Sequence, residues 1–525
     1  MAQRRGGEEL RTVVVLGPDP IRPARLTRDV RGGPAAGIPG RSWTGTPPPW
    51  CRRNRFRLPV PSRRETTAVS TEAFGPAPTG RTRAERLSAG RRLRQRVPRS
   101  RHALWAAPRD RPDPVDLIRE SDRTRVPSLL PIRYGRMSAS PFAFLRGSAG
   151  VMAHDLATTP TTGIRTQLCG DAHLANFGVF ATPERDEAFD VNDFDETLPG
   201  PWEWDVKRLA VSLVAAGRQN GFSRRDGRTA ALTAVRCYRE SMNVFAHMRY
   251  LDIWYSHIDL SNLTRQVKRA GRKLFDRAME EARQQTSLHA FPKMVRKVRG
   301  GFRIRDDLPL IVHYKNSADA EASRTFFDRY LRSLPDERRR LLDRYHVADV
   351  AQKVVGVGSV GTVCSVLLLL GDPDVEDPLF LQLKEADASA LEPYAGRSAY
   401  PNHAQRVVHG QHLTQEASDI FLGWSSLRSR DFYVRQLRDM KFSSDLTTLG
   451  PRAFVGQAEL CGSALARAHA RSGDPALISG YLGARDVFDR AVATFAEGYT
   501  DQTERDYRVL LRAIKRGRIA ARTDA

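Results

Sequence analysis

The stretch Gly170-Asp171-Ala172-His173-Leu174-Ala175-Asn176-Phe177-Gly178 organises the reading of this sequence. At ordinary residue frequencies a Gly-Asp-x-His-x-x-Asn pattern arises by chance in roughly one chain in several hundred. A short strand-like run, Gly163 to Cys169, precedes it. After it, the apolar pairs Val179-Phe180 and Ala188-Phe189 lead to a second polar loop, Asp190-Val191-Asn192-Asp193-Phe194-Asp195-Glu196. The arrangement predicts a β-hairpin with acids at both ends.

Outward from this hairpin the chain changes character twice. From Trp204 to about Tyr345 the pattern is mainly helical, with apolar residues at three and four spacing in Val206 to Ala216 and Ala230 to Met248. Val354 to Leu370 is then β-branched and glycine-rich, Gly371-Asp372-Pro373-Asp374 reads as a turn, and Leu379 to Leu383 as a further strand, together predicting an antiparallel sheet. A helix around Gln405 to Asp419, a strand from Phe432 to Leu437 and helices to the C-terminus follow. On the N-terminal side, helical periodicity begins near Thr82 (Ala84, Leu87, Leu93). The fold class is therefore α+β.

The glycine run Gly356-Val357-Gly358-Ser359-Val360-Gly361-Thr362-Val363 fits the form G-x-G-x-x-G-x-V, in which backbone N–H groups of a hairpin cover nucleotide phosphates. Three glycines so spaced occur by chance in about one chain in five of this length, so the run says little alone. Lys384 adds to it. It ends the strand Phe380-Leu381-Gln382-Leu383, where a lysine either projects toward the inner phosphates of a nucleotide or is simply a solvated strand end. A dinucleotide-binding reading is disfavoured, because strand and not helix is expected after these glycines.

The net charge of +24 invites a nucleic-acid reading, but residues 1–100 hold 22 arginines, no lysine and seven acids, so most of the excess sits there. Residues 1–81, rich in arginine, proline and glycine, are expected to be a disordered tail, the only part for which nucleic acid is a conceivable partner. Five scattered cysteines with no C-x-x-C pair suggest neither a disulfide framework nor a cysteine zinc site. No apolar segment is long enough to cross a bilayer, and Thr12 to Gly17 is too short for the core of a signal peptide. A cytoplasmic protein without a membrane partner is expected.

The first loop closely resembles the catalytic loop of the aminoglycoside and choline kinase group, His-Gly-Asp-x-His-x-x-Asn, with Cys169 in place of the first histidine. That resemblance implies that Asp171 is the base accepting a substrate hydroxyl proton, that His173 orients the loop or else transfers a proton itself, and that Asn176 is a magnesium ligand. The second loop is similar to the metal-binding Asp-Phe-Gly turn. Asp193 is the implied magnesium ligand, Asp195 stands where the glycine would be, and Asp195 and Glu196 either supplement the metal site or are turn acids. Pro201 to Ala210 resembles the Asp-Leu-Ala helix start of aminoglycoside kinases, where the aspartate, here Asp205, ties down the catalytic loop; alternatively Asp205 is an ordinary helix N-cap. Gly356, Gly358, Gly361 and Lys384 would bind the nucleotide. Glu416 is the candidate acidic partner of Lys384, with Glu392 behind it.

In a conventional kinase the glycine loop and lysine precede the catalytic and metal loops, whereas here they follow them. A circular permutation accounts for this order, with the cut just after the helix Leu460 to Ala470, whose Leu465-Ala466-Arg467-Ala468-His469-Ala470 resembles the helix leading into the catalytic loop. The expectation is a permuted, two-lobed kinase-like fold. It comprises a helical catalytic region (82–345), a nucleotide-binding region (346–445) and C-terminal helices completing the helical lobe (446–525). The implied activity is ATP- and magnesium-dependent phosphoryl transfer to an unidentified small-molecule or protein acceptor. The alternatives are a non-catalytic nucleotide-binding pseudokinase, a nucleotidyl (AMP) transferase and, last, a metal-dependent phosphoesterase. From about residue 85 onward the chain also resembles an uncharacterised bacterial domain-of-unknown-function family, number 2252, through GDAHxxNFG, NDFDE and PWEWDxKRLA.

Overall fold

The computed structural model describes residues 80–258, 280, 283, 286–299, 301–313, 320–354, 356–372, 376–437 and 445–523, all within one compact unit. The expected disorder of residues 1–81 falls almost wholly outside the described residues. The first described helix lies where helical periodicity is read in the sequence. Thr82 caps helix α1 (Arg83–Arg96) with a capping box, its Oγ1 accepting from the Glu85 N–H while Glu85 Oε2 accepts from the Thr82 N–H at 2.6 Å. Short helices α2 (Pro114–Glu120), α3 (Leu130–Met137), α4 (Pro141–Gly147) and α5 (Ala149–Leu156) lead to strand β1 (Arg165–Leu168).

The predicted hairpin is β2 (Phe177–Ala181) with β3 (Glu187–Val191), paired Phe177 to Val191 and Gly178 to Asp190. That register sets the ends of both polar loops side by side, and the Asn192 N–H donates to the Asn176 carbonyl at 2.7 Å. Strand β4 (Leu198–Pro201) returns antiparallel to β1. It runs directly into α6 (Trp202–Gln219), which is buried over nearly its whole length, and then into α7 (Arg224–Phe245) and α8 (Tyr250–Tyr255).

The stretch read as mainly helical up to Tyr345 contains strands as well. After α9 (Ser287–Met294) come the hairpin β5 (Val295–Val298) with β6 (Gly301–Ile304), then β7 (Ile311–His313), α10 (Ala320–Ser333) and α11 (Asp336–Leu342). Strand β7 joins the large sheet by pairing with β8 (His346–Lys353), so that sheet reaches back across the expected boundary at residue 345. Its remaining strands are β9 (Cys364–Leu370), β10 (Pro378–Ala386), β11 (Gly423–Leu427) and β12 (Arg430–Gln436), in the order β11-β12-β10-β9-β8-β7 with antiparallel neighbours. Between β10 and β11 lie α12 (Glu392–Ala395) and α13 (His403–Thr414).

Alternation along β10 gives the sheet two unlike faces. Leu379 and Leu381 pack with Phe432, Val434 and the α10 residues Phe326 and Tyr330. Phe380, Gln382 and Lys384 face the other way. Opposite Lys384 stand Cys364 on β9 and Tyr433 on β12, and opposite Gln382 stands Arg435. The C-terminal helices α14 (Pro451–Ser472), α15 (Pro475–Leu482) and α16 (Val487–Lys515) pack on α6 and α7 in the largest apolar core. Gly462 allows the closest approach, since a Cβ there would lie 2.1 Å from the Ala234 carbonyl oxygen on α7. Among the described residues no helix is long and apolar enough to cross a membrane.

Candidate functional site

The polar face of β10 and the two hairpin loops converge. Lys384, 2% exposed, sets its Nζ 3.3 Å from Asp193 Oδ2 and also pairs with Asp195. Tyr433, its neighbour across the sheet, donates its hydroxyl to Asp195 Oδ1 at 2.8 Å, and Ser359 of the glycine run donates to Asp195 Oδ2 at 3.2 Å. Arg435 holds the loop from the same sheet face, donating to the Asn192 carbonyl and to Gln382 Oε1 at 3.1 Å each. Burial works to raise the Asp193 carboxyl, but Lys384 and Arg435 overcome it and leave the group below its ordinary value. Lys384 is the mirror case: burial works to lower its pKa, and the two carboxylates outweigh this and hold it charged, well above its ordinary value.

The first loop is fixed from α6. Asp205 accepts from the backbone N–H groups of Cys169 (2.8 Å) and Gly170 (3.1 Å) and from the Cys169 thiol at 3.2 Å. Thus the Cys169 thiol is a hydrogen-bond donor, and Asp205 binds the loop instead of capping its own helix. His469 Nε2 on α14 approaches Asp205 at 3.3 Å while its Nδ1 contacts the Tyr238 hydroxyl at 2.9 Å. Gly170 takes φ +84°, and a Cβ there would lie 2.2 Å from the Glu196 carbonyl oxygen, so the start of one loop is pressed on the end of the other.

Asp171 is reached by Arg208, whose Nε donates to Oδ1 at 2.6 Å. Burial raises its carboxyl above the ordinary range and Arg208 only partly offsets this, which suits a proton acceptor. His173 lies 3.6 Å from Asp171 Oδ2, and burial followed by the charges of Arg146 and Arg208 drives its pKa far down, so the imidazole is neutral. Asn176 donates its amide nitrogen to the Asp171 carbonyl at 2.8 Å, turning its oxygen into the atom left to serve a cation.

Glu416 does not pair with Lys384. It lies beyond the end of α13, where its N–H donates to Asp190 Oδ2 at 2.7 Å and its Oε2 is buried without a partner. Glu392 is likewise elsewhere, accepting from the Ser389 N–H at 3.3 Å. The carboxylates that meet Lys384 are those of the second loop. From α13 comes instead a cation, Arg406, buried to 1% exposure, which donates to the carbonyls of Thr197 (2.6 Å), Asp195 and Asp387 (2.8 Å each). Gly410, one helical turn on, lets α13 rest on Thr197, 2.5 Å from where a Cβ would be. Glu196 completes the clamp, its Oε2 accepting from the Ala390 N–H at 2.6 Å.

Desolvation pushes the Glu416 carboxyl up to about 7, with Arg467 opposing and Asp190 reinforcing the rise. The folded state thus binds a proton more tightly than the unfolded chain. The stabilisation is fully present below the unfolded value near 4.3 and is lost as pH rises through about 7. Glu416→Gln is therefore expected to gain stability relative to the parent by about 2 kcal/mol between pH 5 and pH 8. Urea unfolding at the two pH values measures this, and a pH-independent difference would refute the buried-carboxyl account.

Sequence reasoning singled out Asp171, His173, Asn176, Asp193, Asp195, Asp205 and Lys384, and these residues gather here. Gly356, Gly358 and Gly361 lie in the turn between β8 and β9, beside Asp195 through Ser359. Arg208, Arg406, Tyr433 and Arg435 were missed. Two signals were available: Arg208 sits three residues after Asp205 in the quoted PWEWDVKRLA, and Tyr433 and Arg435 alternate on a strand beside Lys384.

A metal requires oxygen donors. Asp193, whose carboxylate form is favoured but whose oxygens already accept from Lys384 and from the Asp195 N–H at 3.2 Å, would have to share that carboxylate with a cation, and with the Asn176 amide oxygen it could hold magnesium when phosphate oxygens and water complete the shell. Among the described residues no group of three or more His, Cys, Asp and Glu side chains is disposed to hold a metal by itself.

Fold and site define a mixed α+β protein in which an antiparallel sheet presents a buried lysine to an acidic hairpin loop. The chain belongs to the DUF2252 family, described as an uncharacterized protein conserved in bacteria, whose model matches residues 125–513. No curated protein and no solved structure matches it. The match begins at residue 125, not near 85, so α1 and α2 precede it, although Arg111 binds this leading part to the body through buried ion pairs with Asp155 and Asp506 at 2.7 Å each.

Proposed function

We propose that the protein is an ATP- and magnesium-dependent phosphotransferase acting on a hydroxyl acceptor, with a permuted kinase-like arrangement. The observation that carries this reading is the meeting of Lys384 and Asp193, 191 residues apart in sequence, at 3.3 Å. A phosphate-binding lysine and a metal-binding aspartate must share one cleft, and these residues were assigned those roles from separate motifs. The permutation draws support from the end of α14, where Ser472 Oγ accepts from the Gln167 N–H on β1 at 3.1 Å. The helix likened to the one that leads into a catalytic loop thus ends beside the strand that enters this one.

In this reading Lys384 neutralises the inner phosphates of the nucleotide and the glycine turn covers them. Asp193 and Asn176 would hold magnesium, which would supply screening of the phosphate charge. Asp171 takes the proton of the acceptor hydroxyl as its oxygen bonds to the γ-phosphorus, while the bond from that phosphorus to the β–γ bridging oxygen breaks and ADP leaves. Arg208 orients Asp171, Asp205 orients the loop, and neutral His173 packs behind both.

The second reading, a nucleotide-binding protein without transfer activity, is favoured by the double ion pair that occupies Lys384. Calorimetry of magnesium–ATP with the full chain tests the shared cleft. Lys384→Ala and Asp193→Asn are each expected to weaken binding roughly ten- to hundredfold, with thermal unfolding checked in parallel. A folded parent that binds no nucleotide refutes both readings. Binding without turnover across many acceptors favours the second.

A further inference from the structure

The cations around the two loops are matched to acceptors, with one exception. Lys384 has Asp193 and Asp195, Arg435 has Asn192 and Gln382, Arg406 has three carbonyls, and Arg208 has Asp171 and the Leu145 carbonyl. Arg146, at the end of α4, has no ion-pair partner among the described residues. Its Nε is buried with no hydrogen-bond partner, and its guanidinium carbon lies 5.8 Å from the Phe142 ring centre.

Its surroundings are those of the site. Arg146 follows Leu145, whose carbonyl accepts from Arg208 at 2.9 Å, and its charge is felt by both Asp171 and His173. Its own backbone carbonyl lies 3.1 Å from where a Cβ on Gly358 would be, at the middle glycine of the turn. Arg146 is thus tied to the glycine turn through its backbone and to the surroundings of Asp171 through its charge. A half-buried guanidinium with no ion pair of its own, near an Asp171 already paired with Arg208, gains by meeting an anionic ligand.

We propose that Arg146 binds the terminal phosphoryl group of a nucleoside triphosphate, the group in transfer, and so reads triphosphate against diphosphate. This rests on the phosphotransferase reading. Lys384 and Asp193 lie on the inner-phosphate and metal side, whereas Arg146 lies on the side of the acceptor base. An arginine there supplies forked donors to the equatorial oxygens on which charge accumulates as the phosphoryl group moves, a part other phosphotransferases fill with an arginine in cis or in trans. No motif in the sequence singles out Arg146, which lies 25 residues ahead of Asp171.

The test compares magnesium–ATP with magnesium–ADP on the full-length protein. The parent is expected to prefer ATP, Arg146→Met to lose roughly ten- to hundredfold in ATP affinity with ADP affinity unchanged, and Arg146→Lys to keep part of the preference. A parent that binds both nucleotides with Arg146→Met weakening them equally, or neither, overturns the role of Arg146 and leaves the phosphotransferase reading standing. A parent that binds neither nucleotide removes that reading and this one with it. Thermal unfolding of both variants separates loss of the fold from loss of the contact, because Arg146→Lys retains the charge and most of the stem.

Discussion

Asp171→Asn is expected to leave magnesium–ATP affinity within about twofold of the parent and to lower phosphoryl transfer about 10²- to 10⁴-fold, the range a positioned base contributes. The asparagine oxygen can still accept from Arg208, so the loop keeps its main anchor, and Asp205 continues to hold Cys169 and Gly170. The ability to take a proton is lost together with the charge that pairs with Arg208, so thermal unfolding of the variant is compared with the parent. In the parent, burial raises the Asp171 carboxyl, so turnover falls on the acid side at a pH above the ordinary carboxylate range, and that limb is expected to vanish from the residual activity of the variant. Phosphate release to water, measurable before any acceptor is known, serves as the first readout. Unchanged turnover in Asp171→Asn would remove the base assignment, while an equal loss of binding and turnover would make Asp171 a structural residue.

The Arg146 and Asp171 variants probe opposite sides of the same step. One alters what the site does to the phosphoryl group and the other what it does to the nucleophile. A loss of ATP selectivity confined to Arg146→Met, with a loss of rate confined to Asp171→Asn, is the pattern expected of an in-line transfer. If both variants instead lose nucleotide affinity alike, the glycine turn and first loop form a single structural contact without division of labour.

Local chemistry made much of this fold readable. The helical periodicity from Thr82, the apolar pairs Val179-Phe180 and Ala188-Phe189 between two polar loops, and the β-branched run before Leu370 are signals carried by nearby residues, and α1, the β2–β3 hairpin and β9 form there. Membership of the sheet was not readable in the same way. Strand β7 has three residues and separates from β8 by two helices, so its pairing is a tertiary fact with no period to reveal it. The partner of Lys384 shows the same limit. A partner on the next helix is the expectation, but α13 ends at Thr414 before Glu416, and the carboxylates arrive from a hairpin encoded far upstream. Arg406 was overlooked because a buried arginine whose acceptors are all carbonyls leaves no complementary acid to notice.

That upstream hairpin is held by a second buried pair, and its removal is expected to have the largest effect on stability. Arg467 on α14 pairs with Asp190, the two side chains being 2% and 1% exposed. Asp190 also accepts from the N–H groups of Val191 (2.9 Å) and Glu416 (2.7 Å), so it gathers β3, the chain after α13 and α14 at one point. Arg467→Met preserves the stem but leaves a buried carboxylate with only neutral donors, which costs about 3–5 kcal/mol. The double variant Arg467→Met with Asp190→Asn is expected to recover most of that loss, since a neutral amide needs no cation and can still accept from Glu416. Denaturant unfolding of the four proteins gives the cycle. If the double variant is as unstable as the sum of the two single ones, the packing of the Arg467 stem, and not its charge, holds α14 to the hairpin. Because Asn192 and Asp193 follow directly from β3, the single variant should also loosen the second loop, seen as weaker magnesium–ATP binding that the double variant restores.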